Sequence, residues 1–125
     1  MIRKARADDQ ILIMAVFYID GVAQDTLAFT RGSIYRFDQS NASNSADVLT
    51  LSETSDGENN AGSAYSTGVS YWINNVEVNR TNYLSNFAAA TSRFFQIEVD
   101  SGAPNTLYYY AVGTASMGGT INVTG

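Results

Sequence analysis

Apolar and polar residues alternate with a period of two along much of this chain. Tyr35 and Phe37 fall on one side of a short run and Ile34 and Arg36 on the other; later, Phe95, Ile97 and Val99 share a side opposite Phe94, Gln96 and Glu98. Side chains of a strand point alternately to its two faces, so each run reads as a half-buried strand with the Tyr/Phe/Ile side inward. Phe94 is then an apolar residue on a polar face, and Arg36 points outward. Residues 11–19 are continuously apolar, which fits a buried strand, and Asp20-Gly21 supplies turn chemistry before a strand around 26–30. Further strands are predicted over 48–51, over 106–112 with Leu107, Tyr109 and Ala111 inward, and over 120–123, after a loop at 113–119.

Between these runs lie polar stretches. Residues 38–46 and the Ser/Thr/Asn/Gly-rich residues 52–68 read as surface loops. The single proline, Pro104, stands in a turn, outside the strands, as its missing N–H requires. Long helical periodicity is absent. The pattern predicts an all-β, single-domain β-sandwich or Greek-key barrel of about seven or eight strands over residues 11–125, preceded by an extended arm over residues 1–10.

Composition narrows the chemistry. A chain of 125 residues, 45% apolar, with eight Tyr, six Phe and one Trp, suffices for one domain with a core. It has no Cys and no His, so disulfides, thiolate ligands, imidazole ligands and the commonest general base are all excluded. No arrangement of its carboxylates with a nucleophile and a base is recognisable, which argues against an enzyme. The net charge is −5, yet Arg3, Lys4 and Arg6 are three of only seven basic residues. An acidic body behind a basic arm repels phosphate backbones, so nucleic acid is not the expected partner of the body. The apolar run at 11–19 is too short to span a bilayer. Asp8 and Asp9 precede it and no small-residue cleavage site follows, which argues against a secretion signal. Asp56-Gly57-Glu58-Asn59-Asn60 offers oxygens without the ordered spacing of a calcium loop.

The C-terminal run Leu107-Tyr108-Tyr109-Tyr110-Ala111-Val112-Gly113-Thr114-Ala115-Ser116-Met117-Gly118-Gly119 resembles the last strand and loop of a cupredoxin-like domain found in structural proteins of marine bacteriophages. In that family Leu-Tyr-Tyr-Tyr leads into Cys-x-x-His-x-x-Met-Gly-Gly. The resemblance extends to Tyr18-Ile19-Asp20-Gly21, to residues 27–39, to residues 52–69 and to residues 103–123, and the string Arg31-Gly32-Ser33-Ile34-Tyr35-Arg36-Phe37-Asp38-Gln39-Ser40 is distinctive. It implies a cupredoxin-like topology and a place in a virion. By the same resemblance Ala111 stands at the Cys position, Thr114 at one His position, Asp47 at the second, and only Met117 is retained. A blue-copper site needs two His, one Cys and a weak axial Met, so no copper, and no other cofactor, is expected.

The chain departs from the family over residues 70–92, which carry Tyr71, Trp72, Tyr83 and Phe87 where the family has a shorter Gly- and Thr-rich connection. Two readings stand side by side, local core and partner contact, since aromatics are enriched at interface centres. As partner contacts, the candidates are Arg3, Lys4 and Arg6 of the arm together with Tyr71, Trp72, Tyr83, Phe87 and Phe94. What the resemblance implies is a capsid decoration or cement protein, made in the host cytoplasm and held on the particle surface by the major capsid protein, other virion proteins or sister copies in a symmetric array. The main rival is a tail or fibre module that binds a host-surface glycan or protein; a degenerate module with a residual metal role is a third.

Overall fold

Strands form where the alternation is clearest, and turn residues decide how they join. In a computed structural model, residues 2–8 and 16–125 are described, residues 2–8 and 43 by their backbone alone. The strands are β1 (Ile2–Asp8), β2 (Val16–Ile19), β3 (Val22–Ala23), β4 (Leu27–Thr30), β5 (Ile34–Asp38), β6 (Leu49–Ser52), β7 (Val69–Ile73), β8 (Val76–Val78), β9 (Arg93–Glu98), β10 (Thr106–Ala111) and β11 (Thr114–Thr124). One helix, α1 (Arg80–Asn86), and two 3-10 turns, Ala42–Asn44 and Gly57–Asn60, complete the elements. Of the strand expected at 11–19, residues 11–15 lie outside the described residues.

The strands make a seven-stranded sheet in the order β3-β2-β1-β5-β9-β7-β8 and a four-stranded sheet in the order β4-β11-β10-β6. Pairing is antiparallel except for β1 with β5 and β4 with β11. The fold is therefore all-β, two mixed sheets packed face to face. Between them, Phe29 stacks on Tyr35 at 3.9 Å between ring centroids, and Phe37 meets Phe95 of its own sheet at 5.8 Å and Tyr109 of the other at 6.3 Å. Each such ring stabilises the fold by about 1.5–3 kcal/mol through the apolar area it removes from water.

Two hairpins turn on paired left-handed residues. Asp20 and Gly21 have φ of 50° and 86°, and Asn74 and Asn75 have φ of 49° and 66°. Positive φ at both central positions matches the right-handed twist of the flanking strands, and Asp, Asn and Gly tolerate it best. The first turn, between β2 and β3, was legible in Asp-Gly. The second makes a hairpin of β7 and β8 out of residues expected only as an aromatic insertion. Asn79 then starts α1, its side chain accepting from the Asn82 N–H at 2.8 Å.

Two expectations need correcting. Residues 113–119 are not a loop: Gly113, at φ 83°, closes a tight turn and β11 begins at Thr114. Its pairing with β10 shifts register between Tyr109 and Ala111, so the irregularity sits inside the hairpin as a bulge. Ser52 still belongs to β6 and bridges to Ala64, while residues 53–68 form no strand of their own and fold as a cap over β10. A Cβ on Gly57 would come within 2.4 Å of the Tyr110 ring, so only glycine permits this approach.

Candidate functional site

Of the four positions singled out by the resemblance, Asp47 and Thr114 meet through their side chains, Ala111 lies in register with Thr114, and Met117 is buried in the core. Gln39, fully buried, accepts from the Leu49 N–H at 2.9 Å and donates to the Asp47 carbonyl at 3.0 Å, which fixes the approach to β6. From there the Asp47 carboxylate accepts from the Thr114 hydroxyl at 3.2 Å. Ala111 pairs in register with Thr114 and Leu49, and both Ala111 and Met117 are wholly buried in the core cluster. A carboxylate, a hydroxyl, a methyl and a thioether supply neither thiolate nor imidazole, so this donor set fits neither copper nor a closed zinc site. Among the described residues there is no group of three or more His, Cys, Asp or Glu side chains that could hold a metal ion.

The carboxylates of the 55–60 segment are engaged in fastening it down. Both Asp56 oxygens accept from the Ser116 N–H, at 3.2 and 3.1 Å. Glu58 Oε1 accepts from the Tyr110 hydroxyl at 2.8 Å and pairs with Arg80 at 2.6 Å, tying the cap to β10 and to the start of α1. Burial, and then the hydrogen bond to Glu58 and its charge, hold the Tyr110 phenol well above tyrosine's usual pKa. Burial opposes the Arg80 charge, but Glu58, with Tyr71 and Tyr110, keeps its pKa above the ordinary value.

The expected partner contacts divide in two. Tyr71, Tyr83 and Phe87 face inward and are 8%, 0% and 1% exposed, so they do not form a contact surface. Their rings pack on one another, Tyr71 on Tyr83 at 5.0 Å and Tyr83 on Phe87 at 5.3 Å. This corrects the partner reading for those three in favour of local core. The reason is the pleat: Tyr71 lies opposite Phe95 on the inner side, while Trp72, one residue on, lies opposite Phe94 on the outer side. Trp72 stacks on Phe94 at 5.5 Å with 11° between ring planes, and the Arg36 guanidinium lies 3.9 Å from the Phe94 centroid. Gln96 accepts from Arg36 at 3.1 and 3.4 Å and holds it there. Phe94 is thus flanked by β5 and β7 side chains and is only 8% exposed, which makes it the floor of the stack. Arg3, Lys4 and Arg6 sit on β1, whose backbone pairs with both β2 and β5; their side chains lie outside the description.

Comparison of the chain with protein-family models, with curated proteins and with solved structures returned no match. Among the described residues no helix is long and apolar enough to cross a membrane.

Two features were not anticipated. Arg93, 2% exposed, donates to four backbone carbonyls, those of Gln39, Phe87, Ala90 and Asn41, at 2.7–3.1 Å, and lies over the Phe87 ring at 4.4 Å. It joins the end of β5 to the chain leaving α1. Burial lowers its pKa, against the pull of Tyr83 and Asp38. The second is a cavity of about 320 Å³ over β10 and β11, lined among others by Gln24, Ser55, Asp56, Tyr108, Ser116 and Thr120. Gln24, Asp56 and Ser116 all adopt left-handed backbone conformations, with φ of 47°, 61° and 67°.

Proposed function

We propose that this chain is a non-enzymatic structural protein of a bacteriophage virion, a capsid decoration or cement protein of cupredoxin-like topology. The observation that carries the reading is the hydrogen bond from Thr114 to Asp47, with Ala111 in register with Thr114 and Met117 buried in the core. Where the resembled domain assembles a metal centre, this one has a structural tie. A frame retained without its ligands works through its outer surface.

The surface in question is the outer side of the seven-stranded sheet, where Trp72, Phe94 and Arg36 form a stack. Trp and Arg are the residues most often found at the energetic centres of interfaces. The backbone of the arm is paired into this same sheet, so arm and stack move as one body. On a shell, many modest contacts repeated by symmetry give avidity without a single tight interface. The acidic body, facing solvent, keeps particles apart.

Immunogold labelling with antibody raised against the purified chain tests this on particles from cells that carry its gene. A regular array of label over the shell is the expected result, and label confined to tail tips or missing from particles overturns it. A tail or fibre module that binds a host-surface glycan is the second reading, favoured by the polar cavity over β10 and β11.

A further inference from the structure

The cavity over β10 and β11 is built from three chain segments that lock one another in place. Gln24, beside β3, donates from Nε2 to the carbonyls of Ser116 and Gly118 at 3.0 and 2.9 Å; Ser116 in turn donates its N–H to both oxygens of Asp56. The three residues at these joints are the non-glycine residues with left-handed φ that line the cavity. The left-handed φ values of Asp20, Asn74 and Asn75 belong to two-residue hairpin turns that call for them, and that of Ala61 to the end of the Gly57–Asn60 turn. Those of Gln24, Asp56 and Ser116 converge on one recess, and strained backbone held by its surroundings is characteristic of binding sites.

The lining specifies what fits. Among the described residues, the hydroxyls of Ser55, Tyr108, Ser116 and Thr120 have no hydrogen-bond partner, and Gln24 Oε1 remains as an acceptor once its amide nitrogen is committed. Among the described residues, Asp56 is the one charged side chain of the lining, and no cation lines the cavity to receive a phosphate or carboxylate. A single carboxylate already accepting an N–H is a poor seat for a metal ion. Partly buried Tyr108 supplies an aromatic surface beside these polar groups. Donors and acceptors in number, one aromatic face and no positive charge match a neutral polyhydroxylated ligand, which presents hydroxyls at its rim and C–H groups on its faces.

We propose that this cavity is a binding site for a neutral saccharide, with Tyr108 as the stacking platform and Asp56 and Gln24 as hydroxyl acceptors. It does not depend on the protein's place on the particle, and its failure leaves the labelling result unchanged. The test is an NMR titration of the full chain with the methyl glycosides of glucose, galactose and mannose and with N-acetylglucosamine, following backbone amides. The expected result is saturable, millimolar-range binding of at least one sugar, with shifts confined to residues around Asp56, Tyr108 and Ser116. Tyr108→Ala should weaken it by about tenfold or more, and Tyr108→Phe, which keeps the ring, should retain most of it. Asp56→Asn, which tolerates the left-handed backbone, separates the carboxylate's part from folding and should also weaken binding. No saturable shift with any of the four sugars, or binding that Tyr108→Ala leaves unchanged, overturns the proposal.

Discussion

Arg93 and Arg36 each lie over a phenyl ring, Arg93 over Phe87 inside the protein and Arg36 over Phe94 on the outer sheet face. Arg93 is buried and saturates four backbone carbonyls, whereas Arg36 is half-buried and bonds to Gln96. The contrast shows how one contact type serves two ends. Inside, the cation substitutes for secondary structure by satisfying carbonyls that no strand reaches; outside, it completes a surface that a partner can cover.

Substitutions can break that contrast in order of size. Arg93→Ala should destabilise by about 3–5 kcal/mol, because it removes a cation and strands buried carbonyls; chemical denaturation measures it, and a loss below about 1 kcal/mol contradicts the structural role. Tyr71→Ala should cost about 3 kcal/mol by opening a cavity among Tyr83 and Phe95. Its neighbour Trp72→Ala should cost about 1 kcal/mol and, under the proposed function, abolish attachment to particles. Arg36→Ala should cost less than about 1 kcal/mol while weakening attachment.

The smallest effect is expected at Tyr83. Its hydroxyl is buried with no hydrogen-bond partner among the described residues, so Tyr83→Phe should leave stability unchanged or raise it by up to about 1 kcal/mol. The same burial raises the folded-state pKa of Tyr83 far above its unfolded value near 10, with Arg93 pulling the other way. Above that pH the unfolded phenol loses its proton while the folded one keeps it, so stability is full below about pH 10 and falls as pH rises further. Tyr83→Phe should flatten that alkaline loss, leaving the share that comes from Tyr110, whose pKa is also raised.

Much of the core was legible. The inward faces of Tyr35, Phe37, Phe95, Ile97, Val99, Leu107 and Tyr109 followed from alternation alone, and all are buried. Tyr110 defeats that rule: it lies on the outer side of β10 and is still wholly buried, because the 52–62 chain folds over it. Arg93 opens a strand, where a charge ordinarily reads as surface, and only the carbonyls gathered from distant segments make it interior. The Tyr83–Phe87 spacing of four did signal a helical face, but a helix of seven residues is too short to show a periodic pattern. The placement of Ile2–Asp8 between β2 and β5 is a long-range pairing that local pattern does not encode. It also means that deleting residues 1–10 removes a strand, so truncation does not separate docking from folding.

Under the proposed function, the outer face of the seven-stranded sheet, with Trp72 stacked on Phe94, attaches the protein to the particle. Co-sedimentation of wild type and Trp72→Ala with particles lacking the protein tests it most directly, with thermal melts recorded alongside. The variant is expected to melt close to wild type and to stay in the supernatant. A folded Trp72→Ala protein that pellets with particles as fully as wild type contradicts it.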